Sequence, residues 1–267
     1  MTVDIGFIGT GNMGGAVIQG LSGRQDLVLR GFDPDQERLL DLKERFGLIP
    51  EEDPPTLARK CSYILVAVKP GLVPQVVSQI AQDLDPSRCL VSLAAGIGTQ
   101  DLVFWSQNAC PVVRVMPNTP ALIGQGIFAM CLEHEMLSAE QAEFVRNLLS
   151  ELGQVHVLPE KSFDAFTALI GSGPAYVYHF MESLVDAGVL VGLGRQEATR
   201  MVIQLVAGST EMASRDERHI TQLKEMVTSP GGTTITGVRC LEKHGVKAAV
   251  MEAVEQACIR SRELGKR

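Results

Sequence analysis

Short apolar runs alternate with polar-faced helical patterns over the first 160 residues of the chain. The runs lack polar alternation, which is typical of strands buried on both faces, as they are in a parallel sheet. We predict strands at 3–9, 27–32, 63–68, 89–94, 112–116, 127–132 and 154–158. A polar-faced helix is predicted at 35–47, with Asp35 as its N-cap and Gly47 as its C-terminal stop. The alternation of strands and helices predicts an α/β domain with a doubly wound, Rossmann-type sheet.

After residue 160 the pattern becomes entirely helical. We predict helices at 161–170, 174–191, 195–213, 216–227, 231–244 and 246–264. The chain is therefore expected to divide into a dinucleotide-binding domain, 1–160, and an all-α dimerisation and substrate domain, 161–267. The helix at 195–213 is apolar on nearly every side and should be buried. We expect another subunit to cover part of it, the alternative being that the α/β domain does so.

Composition and charge narrow the possible functions. The chain has 267 residues, 45% of them hydrophobic and 21% charged, which is typical of a globular protein. Its formal charge is −7 and it contains no block of basic residues, which argues against nucleic acid or an anionic membrane as a partner. The apolar runs are far shorter than the roughly 20 residues of a membrane span. The N-terminus lacks the basic start of a signal peptide, so we expect a cytoplasmic protein.

The six cysteines are scattered, with no C-x-x-C pair and no paired histidines at metal-ligand spacing. We therefore predict no metal site. Several cysteines fall within apolar runs, so we expect them to be reduced and buried as small hydrophobic residues.

A G-x-G-x-x-G motif directly follows the first predicted strand and precedes a helix. Gly9 would permit a tight turn, Gly11 would let the backbone approach a pyrophosphate, and Gly14 would let the helix pack closely on the strand. The N-terminus of that helix would offer N–H groups to the phosphates. The alternative is a glycine-rich turn without a ligand. The predicted cofactor contacts in this motif are Gly9, Thr10, Gly11, Asn12, Met13 and Gly14.

Asp33 ends the second predicted strand, nineteen residues after Gly14. A carboxylate at this position would accept a hydrogen bond from the 2′-hydroxyl of the adenosine ribose and repel a 2′-phosphate. Asp33 therefore predicts NADH rather than NADPH as the preferred cofactor. Two alternatives stay open: Asp33 could cap the next helix, or Arg38 could reach a 2′-phosphate.

Two further motifs end predicted strands where parallel sheets bind ligands. A-V-K-P spans 67–70, and S-L-A-A-G spans 92–96 with small residues that leave room for a nicotinamide or ribose. A turn at N-T-P follows another strand. The cofactor contacts predicted in these segments are Ala67, Val68, Lys69, Pro70, Ala95, Gly96 and Asn118.

The motifs quoted so far, together with M-P-N-T-P (116–120), G-S-G-P-A-Y (171–176) and K-E-M-V-T-S-P-G-G-T-T-I (224–235), resemble the pyrroline-5-carboxylate reductase family in this order. The resemblance covers essentially the whole chain. It implies reduction of the cyclic imine 1-pyrroline-5-carboxylate with NAD(P)H, the last step of proline synthesis. It also implies dimers through interleaved helical domains, sometimes assembled into decamers, with the substrate segment at the dimer interface.

This chain departs from the family at a few positions. Some members carry an Asn near the position of Pro54 and another where this chain has Met226. Asp33 stands where NADP-preferring members often have Ser, although the resemblance still allows NADPH.

The uncharged segment T-S-P-G-G-T-T-I-T-G, 228–237, is poor helix material because of its glycines and proline. The resemblance implies that it binds the substrate, with its chain entering a helix through Pro230. Backbone N–H groups and the helix dipole would bind the substrate carboxylate, and the hydroxyl of Thr234, the predicted catalytic residue, would bind the ring nitrogen. Pro174 either lines this pocket or only starts a helix. The predicted substrate contacts are Ser229, Gly231, Gly232, Thr233 and Pro174.

Two other classes of protein share parts of this pattern. A β-hydroxyacid dehydrogenase would need a catalytic Lys and Asn after its own G-x-G, where this chain has Val177 and Met181. A nucleotide-sensing module without catalysis would not require S-P-G-G-T-T. We therefore predict an enzyme that reduces a C=N bond.

Overall fold

The structure is a computed structural model that describes residues 2–265. The chain packs as two compact units, Met1–Ser172 with Ala257–Arg267, and Gly173–Gln256. The first unit therefore extends past the boundary predicted after residue 160, because Phe163 and Phe166 pack with buried residues of the sheet such as Ala129.

The first unit is built on an eight-stranded sheet. Its strands are β1 Val3–Ile8, β2 Leu27–Phe32, β3 Ile49–Pro50, β4 Tyr63–Val66, β5 Cys89–Ser92, β6 Val112–Met116, β7 Gly126–Cys131 and β8 Gly153–Val157. Their order across the sheet is β3-β2-β1-β4-β5-β6-β7-β8. The central order is that of a doubly wound Rossmann-type sheet, so the predicted fold class is confirmed.

Three features of the sheet correct the sequence prediction. The two-residue β3 was missed because it is too short to carry a hydrophobic pattern. β7 runs antiparallel to β6, although the prediction treated all seven strands as parallel. β8, predicted to be buried on both faces, is an edge strand that exposes most of its residues.

Helices cover both faces of this sheet. They are α1 Asn12–Leu21, α2 Gln36–Phe46, α3 Pro54–Lys60, α4 Val73–Ile80, α5 Thr99–Trp105, α6 Ala139–Ser150 and α7 Phe163–Phe166. α2 begins and ends as predicted: the carboxylate of Asp35 accepts a hydrogen bond from the N–H of Arg38 at 3.1 Å, and Gly47 takes a left-handed φ of 71°.

The core has two parts, one on each face of the sheet. Adjacent residues of a strand point to opposite faces, and Phe7 packs with Val17 of α1 and Leu148 of α6, whereas Ile8 packs in the cluster that contains Leu57 of α3. This burial on both faces explains why the strand sequences are continuous apolar runs.

The predicted helix at 161–170 is three short pieces: a 3₁₀ turn Glu160–Ser162, then α7, then a π-helical turn Thr167–Gly171. The second unit contains α8 Gly173–Leu190, α9 Arg195–Arg215, α10 Ile220–Met226 and α11 Thr233–Lys243, and α12 Val246–Leu264 begins there and ends in the first unit.

α8 and α9 pack together through a small cluster of Val185, Ala198 and Val202. The rest of the apolar surface of α9 is exposed in the single chain, including Ile203 at 53% and Leu205 at 57%. The predicted all-round burial of α9 is therefore not met within one chain, which leaves a large apolar surface for another subunit to cover. Within residues 2–265, no helix combines the length and apolarity that a membrane crossing requires.

Candidate cofactor and substrate sites

The glycine-rich loop has the geometry that its sequence predicts. Gly9 has a φ of +94°, and a Cβ on Gly14 would lie only 2.2 Å from the carbonyl oxygen of Gly9. The loop therefore turns sharply, and α1 packs against it closely enough to exclude any side chain at Gly14. A Cβ on Gly11 would meet nothing nearer than the guanidinium of Arg38, at 3.8 Å. Space for a ligand thus lies beside the N-terminus of α1, where N–H groups are free to bind phosphate.

Asp33 is buried at the carboxyl end of β2 and anchors this loop. One carboxylate oxygen accepts hydrogen bonds from the N–H of Thr10 at 2.7 Å and from its hydroxyl at 3.1 Å. The other oxygen accepts one from the N–H of Asp35 at 3.0 Å. The N-cap of α2 is Asp35, so the alternative that Asp33 caps this helix is wrong. Thr10 binds Asp33 with both of its donors, which sequence reasoning missed.

A cleft of ≈ 590 Å³ opens beside the loop. Six of the predicted cofactor residues line it: Gly9, Gly11, Asp33, Ala67, Val68 and Lys69. Arg38 also lines the cleft, and its guanidinium lies 3.8 Å from the carboxylate of Asp35. The open position of Gly11, the N-terminus of α1 and this cleft together fit the phosphates and adenosine of a dinucleotide.

A second cleft, of ≈ 620 Å³, is lined by Pro70, Ala95 and Gly96 together with Trp105 and the end of α12. Gly96 takes a left-handed φ of 75°, so the A-A-G segment turns sharply after β5. Pro70 begins a short 3₁₀ turn, Pro70–Leu72. It comes directly after Lys69, which lines the first cleft, so adjacent residues of the chain line the two clefts. Nine of the fourteen predicted cofactor residues therefore line two neighbouring clefts at the carboxyl ends of the parallel strands. The other five line neither cleft: Thr10, Asn12, Met13, Gly14 and Asn118.

Asn118 is buried, and its side-chain amide is engaged within the first unit. Its oxygen accepts a hydrogen bond from the N–H of Ile127 at 2.9 Å, and its nitrogen donates to the carbonyl of Ile170 at 3.4 Å. One N–H of the amide is left for a ligand, so contact with the cofactor stays a prediction.

Sequence reasoning missed a cluster of hydrogen bonds around Glu160. A single carboxylate oxygen of Glu160 accepts from the N–H of Thr99 at 2.6 Å, from its hydroxyl at 3.0 Å, and from the guanidinium of Arg114 at 2.9 Å. Arg114 also lies over the ring of Phe163, 4.5 Å from its centroid. Burial by itself raises the pKa of Glu160, but the hydrogen bonds from Thr99 and Arg114 outweigh it, so the pKa lies below its usual value. Glu160 thereby fixes the start of α5, directly after the A-A-G segment.

The predicted substrate residues all belong to the second unit. Gly231 has a φ of 68°, and the N–H of Gly232 donates to the carbonyl of Ser229 at 3.1 Å. Gly232 was predicted to offer its N–H to the substrate, but this turn already uses it. Thr233 and Thr234 open α11, and the first N–H groups of a helix lack intrahelical acceptors.

Thr234 is half-buried in the first turn of α11, and Pro174 is the second residue of α8. The segment 228–237 contains no ionisable side chain. It can therefore bind an anion only through backbone N–H groups, hydroxyls and the dipole of α11.

The described cysteines are all free thiols, four of them buried as expected: Cys61, Cys89, Cys110 and Cys131. Burial raises the pKa of Cys61 and Cys110 to about 12, so these thiols are unreactive at neutral pH.

The Rossmann-type sheet, the glycine-rich loop and the cleft beside it define an NAD(P)-dependent oxidoreductase, and residues 4–96 match the family model described as NADP oxidoreductase, coenzyme F420-dependent. Residues 160–264 match the model for the pyrroline-5-carboxylate reductase dimerisation domain. The chain belongs to the pyrroline-5-carboxylate reductase family, since a named member of that family is also 37% identical to it over its whole length.

The chain is similar to proteins of this family in sequence and in structure over essentially its full length. The chain is 37% identical to the pyrroline-5-carboxylate reductase of Escherichia coli K12 over 272 residues, covering 100% of both chains. Among solved structures it is similar to the Plasmodium falciparum enzyme with NADP bound, with a TM-score of 0.89, 36% identity and 98% of each chain covered. It is also similar to the Coxiella burnetii enzyme, with a TM-score of 0.90, 30% identity and 100% coverage of each chain. The dimerisation domain supports an oligomeric state.

Proposed function

We propose that the chain transfers a hydride from NAD(P)H to 1-pyrroline-5-carboxylate and releases L-proline. The observation that carries the proposal is the uncharged S-P-G-G-T-T segment at the start of α11, in a chain whose other unit holds a dinucleotide cleft. A small carboxylate fits this segment because it offers N–H donors without a competing charge.

Different groups of the segment bind different parts of the substrate. The N–H groups of Gly231, Thr233 and Thr234 bind the substrate carboxylate, aided by the dipole of α11. The N–H of Gly232 instead holds the turn in shape. The hydroxyl of Thr234 bonds to the ring nitrogen and orients the C=N carbon.

The cofactor supplies the hydride when bound. The imine binds already protonated, so the site needs no catalytic base, and none of the segment's own residues is ionisable. Thr234 contributes orientation, and its loss should lower the rate about 10²-fold if misplacement costs what it does in other enzymes. Pro174 contributes an apolar wall to the substrate pocket.

Asp33 underlies the proposed preference for NADH. Its carboxylate sits in the lining of the dinucleotide cleft and would oppose a 2′-phosphate, while its second oxygen retains capacity for a ribose hydroxyl. Arg38 is the residue that favours the alternative, because it lines the same cleft and its side chain is 45% exposed.

We further propose a homodimer, formed through the exposed apolar surface of the helical unit, as the basic assembly, and a decamer as a further stage of assembly. In the dimer, the substrate segment of one chain would complete the cofactor site of its partner. The cytoplasmic location stays a prediction.

The proposed reaction is tested by following oxidation of NADH and NADPH at 340 nm with and without 1-pyrroline-5-carboxylate. We expect substrate-dependent oxidation in the wild type and about 10²-fold lower kcat/KM in Thr234→Ala, with an unchanged melting temperature. Ser150→Ala is the control, because Ser150 lies on α6 and its hydroxyl bonds to the carbonyl of Arg146 in the same helix. Absence of turnover with both cofactors would disprove the reaction, and full activity of Thr234→Ala would disprove the role of its hydroxyl.

A further inference from the structure

The end of α12 lies against the A-A-G segment of the proposed cofactor site. A Cβ on Gly265 would lie 3.2 Å from the carbonyl oxygen of Gly96, and a Cβ on Gly96 would lie 3.7 Å from the nitrogen of Gly265 and 3.8 Å from Leu264. Backbone thus meets backbone at a position where Gly96 already has a left-handed φ. A shift in the end of α12 would therefore be felt directly by the A-A-G segment.

A buried hydrogen bond ties the end of α12 to the segment that follows β8. Ser261 is 7% exposed, and its hydroxyl donates to a carboxylate oxygen of Asp164 at 2.7 Å. The other oxygen of Asp164 is 3.9 Å from the guanidinium of Arg262, at the limit of an ion pair. The short distance and the charged acceptor make the Ser261 bond the stronger of the two.

The stretch 160–164, which contains Asp164, also holds the residues that follow the A-A-G segment. Glu160, four residues before Asp164, binds Thr99 at the start of α5. Residues 95–98 are therefore fixed between two carboxylates, Glu160 at the α5 side and Asp164 through Ser261 at the α12 side.

We propose that Ser261 is a positioning residue for the nicotinamide end of the cofactor. It acts through Asp164 and the end of α12, which hold Ala95 and Gly96 in the place where they line their cleft. Ser261 also lines this cleft, whereas Asp164 does not, so a substitution of Asp164 tests the positioning role apart from direct contact with the cofactor. The proposal rests on the proposed function for the use of NAD(P)H, and it assigns the nicotinamide to this cleft because Ala95 and Gly96, which were expected to leave room for it, lie in the lining. Since the adenosine half belongs to the other cleft, beside Gly11 and Asp33, loosening the A-A-G segment should weaken only one half of the cofactor's contacts.

The test compares binding of NADH with binding of ADP, which carries the adenosine half alone, by titration calorimetry without substrate. In Ser261→Ala we expect the Kd for NADH to rise about tenfold, equivalent to about 1.4 kcal/mol, and the Kd for ADP to stay within about twofold. Ser150→Ala is the matched control, because the hydroxyl of Ser150 bonds only to the carbonyl of Arg146 in its own helix. Ser261→Thr keeps the hydroxyl and should restore NADH binding.

A second variant removes the acceptor of the same hydrogen bond, the carboxylate of Asp164. Asp164→Ala should show the same split between NADH and ADP, and the double variant with Ser261→Ala should bind NADH no more weakly than either single variant. Equal weakening of NADH and ADP, an unchanged Kd for NADH, or single losses that multiply in the double variant would each overturn the proposal. Because no imine is present, these results are independent of whether 1-pyrroline-5-carboxylate is the substrate.

Discussion

The carboxylate of Asp33 binds both donors of Thr10, at 2.7 Å to its N–H and 3.1 Å to its hydroxyl. The residue proposed to select the cofactor is therefore also the residue that shapes the glycine-rich loop. A substitution at Asp33 has two effects, one on loop geometry that both cofactors experience and one on charge that only a 2′-phosphate experiences. The ratio of the two cofactors' kcat/KM values separates them.

Asp33→Asn should raise the NADPH/NADH ratio of kcat/KM about tenfold, because it removes a negative charge from beside the 2′ position while keeping one acceptor oxygen for the loop. Thr10→Val is the control: it loses one hydrogen bond to the same carboxylate and should lower both kcat/KM values in similar proportion. Steady-state kinetics at 340 nm with each cofactor gives the ratio. A wild type that strongly prefers NADPH, with the preference lost in Arg38→Ala, would instead assign the selection to Arg38.

Glu160→Gln should lower stability at neutral pH by about 1–2 kcal/mol, because the largely buried Arg114 loses its counter-charge. The lowered pKa of Glu160 fixes how this loss depends on pH. A carboxylate whose folded pKa lies below its unfolded value of about 4.3 contributes fully above that value, and the contribution disappears as pH falls through the folded pKa.

The stability difference between wild type and Glu160→Gln should therefore be constant near neutrality and shrink below about pH 4.5. Urea unfolding at a fixed protein concentration measures it, since an oligomer's stability depends on concentration. Glu52→Gln removes an exposed carboxylate and should change stability little at any pH. A difference that grows in acid would contradict the account of the Glu160 cluster.

The fold could be predicted from sequence wherever burial leaves a local pattern. Strands such as β4 and β5 are buried on both faces, so their sequences are apolar runs. The caps Asp35 and Gly47 are next to the first and last residues of α2, so they too belong to a local pattern. The direction of β7 could not be predicted, because a buried antiparallel strand has the same composition as a parallel one.

The candidate site also has a part that the sequence predicts and a part that it does not. The positions of Gly9, Gly14 and Asp33 follow from motif spacing, but the partners of the polar side chains do not. The bond between Asp33 and Thr10 spans 23 residues, that between Glu160 and Thr99 spans 61, and that between Ser261 and Asp164 spans 97. Such contacts follow only from the folded topology, because no periodic pattern links residues so far apart in sequence.

The exposed apolar face of α9 predicts that a charge there breaks the oligomer. Leu205→Glu should shift the molecular mass measured by light scattering toward that of one chain at micromolar concentration, because a carboxylate in an apolar interface is left without a partner. Leu40→Glu is the matched control, since Leu40 on α2 is 53% exposed and Leu205 is 57% exposed. A wild type that is already a stable monomer would contradict the proposed dimer.

A site shared between chains predicts that two variants of very low activity restore each other's activity. Gly11→Asp places a negative charge where the pyrophosphate approaches, and Thr234→Ala removes the proposed substrate contact. In a hybrid dimer, the intact cofactor cleft of the Thr234→Ala chain would meet the intact segment of the Gly11→Asp chain, so one of the two sites is complete. Random mixing should thus recover about one quarter of the wild-type activity. Each variant mixed only with itself should retain about 1% of the wild-type activity or less. Hybrids verified by mass spectrometry that show no recovery would mean that each chain holds a complete site of its own.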